Sequence, residues 1–151
     1  MRVVSNTSPL IGLSNIGQLE ILRDVFGEVI VPPAVGREFG EELPGWITVK
    51  APENRPLVQA LLDSLGDGES EAIALAIELN ADFLILDDLK ARKIARKLGV
   101  SVIGTAGLLL LAKRRGVIKE VKPLLMELVE KGFRISNEVI DLILKSAGEM
   151  D

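Results

Sequence analysis

"LGDGESEAIALAIELNADFLILDDLKARKIARKLGV", residues 65 to 100, changes its hydrophobic period twice. Apolar residues recur at helical spacing from Glu69 to Leu79, the run Phe83–Leu86 is short and wholly apolar, and helical spacing returns from Leu89 to Leu98 before Gly99. A short apolar run between two amphipathic segments reads as a strand buried on both faces and flanked by helices. The alternation extends in both directions. Further strands are predicted at Arg2–Ser5, Glu28–Val31, Trp46–Lys50 and Ser101–Ile103, with the weakest pattern at Trp46–Lys50. Helices are predicted at Pro9–Ile16, Leu19–Phe26, Pro33–Phe39, Arg55–Leu65, Thr105–Arg115, Val121–Lys131 and Ser136–Ser146 as well. Thr7 or Ser8, Thr105 and Ser136 stand where N-caps belong, and Gly99, Gly116 and Gly132 where helices stop. This order predicts an α/β chain on a mostly parallel sheet of four to five strands. After Gly104 only helical patterns remain, which would complete the outer layer or form a dimer face.

Composition narrows the chemistry. With 151 residues, 48% of them hydrophobic, the chain is expected to form one domain spanning residues 1–151. No apolar run approaches the ~20 residues of a membrane span. Met1-Arg2 leads into a strand rather than a signal sequence, so a cytoplasmic protein is expected. There is no Cys, His or Tyr, which leaves acid–base work to carboxylates, lysines or a metal-bound water. A net charge of −4 argues against a uniformly basic surface, although Lys90–Lys97 and Lys113-Arg114-Arg115 form local basic runs. Many Glu, Lys and Arg with no Cys also fit a thermophilic source. The aromatic content of 3% argues against extensive base stacking.

Ligands of parallel α/β sheets collect at the carboxyl ends of the strands. Asn6 follows the first predicted strand, Asp87 and Asp88 follow Phe83–Leu86, and Gly104-Thr105 follow Ser101–Ile103. At ~100° per residue, Glu69 falls on the stripe of Ala72, Ile73 and Ala76, whereas Glu71 falls with Glu78 on the face expected to be solvated. Glu38 lies near the Val35/Phe39 stripe, with Arg37 and Glu41 facing away. An inward carboxylate is unfavourable unless paired, protonated or bound to a cation. Glu38, Glu69 and Asp87, with the polar Asn6, therefore form a candidate metal site. Ordinary structural roles fit the same residues: Asp87-Asp88 and Glu69 as helix-start acids, Glu38 as a surface acid, Ser8 and Thr105 as caps, and Arg92 on a solvated face. Gly104-Thr105-Ala106-Gly107 lacks the lysine and spacing of a phosphate loop.

Taken in order, "VVSNTSPLIGL" (3–13), "EVIVPPAVGREF" (28–39), the 65–100 stretch and "VIGTAGLLLLAKRRGVI" (102–118) resemble PIN-domain proteins, relatives of the VapC-type toxin ribonucleases. Within these they are most similar to a prokaryotic branch described as nucleic-acid-binding PIN proteins. The resemblance implies a three-layer α/β/α fold and acids gathered around Mg²⁺ or Mn²⁺ for cleavage of single-stranded RNA. It carries the family's acids onto Asn6, Glu38, Glu69 and Asp87, with Asp88 beside the last. Ser8, Arg92 and Thr105 become substrate-facing candidates. A small antitoxin protein and a second copy of the chain become expected partners.

One position departs from the family. Asn6 stands where PIN nucleases carry aspartate; its carbonyl oxygen can ligate a hard cation, but it brings no charge. Two readings follow: a metal-dependent ribonuclease, or a PIN-fold RNA-binding or scaffold protein with weakened or lost chemistry. A receiver-type phosphotransfer domain is a third, opposed by the late position of Asp87-Asp88.

Overall fold

The computed structural model describes residues 1–150. Its strands are β1 (Val3–Ser5), β2 (Val29–Val31), β3 (Ile47–Val49), β4 (Phe83–Ile85) and β5 (Val102–Ile103). The helices are α1 (Thr7–Asn15), α2 (Glu20–Phe26), α3 (Pro33–Phe39), α4 (Arg55–Leu62), α5 (Asp67–Glu78), α6 (Leu89–Lys97), α7 (Thr105–Arg114), α8 (Lys122–Glu130) and α9 (Asn137–Ser146). Every predicted element has a counterpart. Trp46–Lys50, the weakest pattern, contains β3, which pairs with β2 in the register Val29↔Ile47 and Val31↔Val49.

The five strands are all parallel, in the order β3-β2-β1-β4-β5. Burial against both faces explains why the central strands are apolar apart from Ser5, which ends β1 and is wholly buried. Val3 and Ile85 join a core beneath α1, α2, α7, α8 and α9, while Val4, Leu84 and Leu86 join a second core beneath α4, α5 and α6. Each fully buried Leu, Ile or Val contributes roughly 1.5–3 kcal/mol. Both sheet faces are thereby covered, giving the expected three layers.

Some helix starts differ from the predicted ones. Helix α5 begins at Asp67, two residues before the predicted start at Glu69, with Gly66 as its N-cap and Gly68 in its first turn. Gly104, not Thr105, occupies the N-cap of α7, and Thr105 is wholly buried as its first helical residue. Ser136 does cap α9, accepting the Val139 N–H at 3.2 Å. Gly132 ends the turn after α8 at φ +93°, where a side chain would be strained, and turns the chain towards Phe133.

Strand order reverses between β1 and β4. From β1 the chain runs outward to β2 and β3, then returns to the other side of β1 for β4 and β5. That crevice, at the carboxyl ends of the strands, is where such sheets admit ligands.

Candidate functional site at the switch between β1 and β4

Asn6 and Asp87 stand on either side of the reversal. The Asn6 N–H donates to the Ile85 carbonyl at 3.0 Å, tying the ends of the two strands together. Asp87 is held from two elements. Its Oδ1 accepts the Thr105 N–H at 2.7 Å, and its Oδ2 accepts the hydroxyls of Thr105 at 2.8 Å and Ser8 at 3.1 Å. The expected substrate-facing hydroxyls therefore act on the acid itself and fix its orientation. Three donors to one carboxylate leave it little rotamer freedom.

Glu38 comes from α3 on the other side of Asn6. It is exposed rather than drawn into the core, because the stripe of α3 that reaches the core is carried by Val35 and Phe39. Its Oε1 nevertheless accepts a hydrogen bond from the buried Thr7 hydroxyl. Gly68, in the first turn of α5, makes this arrangement sterically feasible. A Cβ there would collide with the Glu38 carboxylate and stand 3.2 Å from Asn6 Oδ1. That oxygen is buried and has no hydrogen-bond partner. Asn6 and Glu38 thus border one small space that exists only while residue 68 lacks a side chain.

Glu69 and Glu71 reverse part of the expectation. Glu71, predicted to be solvated, is only 8% exposed, and its Oε1 accepts the Ala34 N–H at 3.1 Å near the start of α3. Helix α5 is buried almost all round, from Ser70 to Ala76, so a test for a single inward face cannot separate its acids. Glu71 braces α3 against α5, where the positive end of a helix favours a carboxylate. Glu69 is half-buried and reaches back to the Gly66 N–H at 3.3 Å, one half of a capping box. Burial raises its pKa above the ordinary value, and the nearby charges of Asp88 and Glu38 raise it further; the Gly66 N–H and Lys90 oppose the shift. Glu69 thus lies within electrostatic reach of Asp88 and Glu38. Asp88 caps α6 through the Ala91 N–H at 2.9 Å and is exposed.

Arg92 lies beside Asp87. Gly104 admits it, since a Cβ at that position would stand 3.0 Å from Arg92 Nη1 and 3.1 Å from Asp87 Oδ1. Burial and then Arg96 lower the Arg92 pKa, and Asp87 offsets them. Its Nε is buried without a partner.

Among the described residues, no three His, Cys, Asp or Glu side chains converge closely enough to hold an ion unaided. The donor set still fits a hard cation. It is all oxygen, it includes an unpartnered buried carbonyl beside a carboxylate, and the other acids stand along the same edge. Mg²⁺ in particular takes one or two carboxylates and keeps several waters.

The family model of DUF3368, a PIN domain, matches residues 2–149. The chain belongs to the PIN-domain family. PIN domains are a nuclease-type fold and generally depend on divalent metal. A solved PilT N-terminus domain protein from the hyperthermophilic archaeon Sulfolobus solfataricus P2 is similar to this PIN domain, with 27% identity and a TM-score of 0.58. The match covers 74% of this chain and 93% of that one. No curated protein matches the chain. Among the described residues, no helix of this PIN domain is long and apolar enough to cross a membrane.

Three contributors escaped the sequence reading. Thr7 was legible only as a cap, Gly68 only as the residue before the helical spacing that starts at Glu69, and Gly104 only as the residue after a strand. Only the structure, by starting α5 at Asp67, shows Gly68 to be a glycine inside a first helical turn, where intrinsic propensity gives no reason for it.

Proposed function

We propose that this PIN-domain protein is a divalent-metal-dependent endoribonuclease acting on single-stranded RNA. The observation that carries the reading is the unpartnered, buried Oδ1 of Asn6, which shares the gap at Gly68 with the Glu38 carboxylate. Asn6, Glu38, Glu69 and Asp87, with Asp88 at the rim, would hold Mg²⁺ or Mn²⁺. Such an ion supplies an activated water and neutralises charge on the phosphorus oxygens. Ser8 and Thr105 keep Asp87 oriented towards the cleft edge. Arg92 offers its guanidinium to the backbone of the strand. We also propose, from the family, that the protein pairs with a second copy and that a small antitoxin protein restrains it.

A second reading follows from Asn6 itself. A site with one charge fewer holds its cation more weakly, and the protein would then bind RNA without cutting it. Mn²⁺-dependent cleavage of mixed single-stranded RNA separates the two, with Asp87→Ala and Asn6→Asp run in parallel. Wild-type cleavage that Asp87→Ala abolishes is the expected result. Cleavage by Asn6→Asp alone supports the second reading, and cleavage that persists in EDTA excludes the metal-dependent mechanism.

A further inference from the structure

A recess of about 390 Å³ opens directly beside Asp87. Its volume lies within the roughly 300–1,000 Å³ typical of pockets for small organic groups. Its floor comes from Val102 and Ile103 of β5, and its far wall from Phe133 and Ile135 in the α8–α9 connection and from α9. Apolar side chains at its mouth remain open to solvent: Leu89 is 79% exposed and Leu142 64%. Both cationic lining residues, Arg92 and Arg134, are arginines, and the buried Nε of Arg92 has no partner. An apolar slot edged by guanidinium groups matches one ligand class well, a flat heterocycle attached to an anionic backbone.

The Phe133 ring is part of the design. Its edge lies over Gly12 of α1, where a Cβ would come within 2.6 Å of Cδ2 and 2.7 Å of Cε2. Gly12 therefore lets the ring sit close to α1, between the recess and Ser8, which bonds Asp87. Unpaired RNA bases are commonly splayed out and stacked on an aromatic or guanidinium plane. The low aromatic content thus does not preclude base recognition, because one ring is placed where it matters.

We propose that this recess receives a single unpaired nucleobase of the RNA strand, next to the cleft edge at Asp87, with Phe133 as its stacking platform. Arg92 would bridge the two by meeting the intervening backbone. The inference rests on RNA being the ligand of the cleft, and it adds a specificity-determining role for Phe133, Arg134 and Leu142.

The test measures binding of short oligoadenylate, oligouridylate and oligocytidylate by fluorescence anisotropy in EDTA, so that nothing is cut. Each oligonucleotide is compared with versions carrying one abasic ribose at successive positions. For the tightest oligomer, one position should lose about tenfold in affinity when its base is removed. Phe133→Ala should erase that penalty. Leu142→Glu, a substitution at an exposed position that leaves packing alone, should erase it as well and guards against misfolding of the first variant. No binding of any oligomer, an equal penalty at every position, or a penalty unchanged in both variants would overturn the proposal. Mn²⁺-dependent cleavage, measured separately, decides the nuclease reading. A protein that cleaves without the positional penalty loses only the recess, and one that shows the penalty without cleaving keeps the recess and loses the nuclease.

Discussion

At the scale of single residues, the site is defined as much by what is missing as by what is present. Gly68 has no side chain where Asn6 and Glu38 meet, and Gly104 has none where Asp87 and Arg92 meet. Helix propensity favours alanine over glycine by about 1 kcal/mol, so Gly68→Ala at a helical position should not weaken α5 intrinsically. Its methyl group would instead push Glu38 out of reach of Thr7. We expect Gly68→Ala to keep its circular dichroism spectrum and to lose about 10–100-fold in Mn²⁺ affinity, measured by titration calorimetry. An unchanged affinity would mean that Asn6 and Glu38 do not share a cation. Asn6 shows the limit of residue-level reading. Its identity marks a departure from the family, but its unpartnered oxygen and its closeness to Gly68 exist only in three dimensions.

At the scale of elements, α9 forms a wall of the recess and is held by a clasp near the chain's end. The Glu149 carboxylate accepts the Val121 N–H at 2.8 Å, the Lys122 N–H at 2.9 Å and Lys113 Nζ at 2.9 Å, while Lys113 also donates to the Ala147 carbonyl at 2.6 Å. The Glu149 side chain is 11% exposed. Burial alone would raise its pKa, but the two backbone N–H groups and Lys113 outweigh burial and hold it below the ordinary value. A depressed pKa in the folded state contributes stability that is complete above the unfolded value of about 4.5 and fades as the pH falls through the folded one. We expect Glu149→Gln to cost about 1–2 kcal/mol at pH 7, by urea denaturation, and the gap to wild type to shrink as the pH drops below about 4. A gap that stays constant with pH would show that the carboxylate's charge has no part in the clasp.

At the scale of the whole molecule, two cores share one five-stranded sheet, so neither can be lost without exposing the strands of the other. If the chain is the single domain we propose, the expected behaviour is one cooperative unfolding transition, coincident by circular dichroism and by Trp46 fluorescence. Sedimentation equilibrium of the same samples should give twice the chain mass at micromolar concentration. Two separated transitions would divide the domain, and a monomer throughout would remove the proposed pairing. Apolar runs and helical periods are local properties, and they located every strand and helix, including β3. Composition likewise confines any chemistry to carboxylates, amides, hydroxyls and cations, because no Cys, His or Tyr is present. Which of those groups meet depends on how the elements pack. Glu71 is buried because α3 crosses α5, Ser8 and Thr105 converge on Asp87 because β4 lies between β1 and β5, and Phe133 reaches the cleft because Gly12 leaves room. Each depends on contacts between segments far apart in the chain, and a periodicity confined to one segment carries no information about its neighbours.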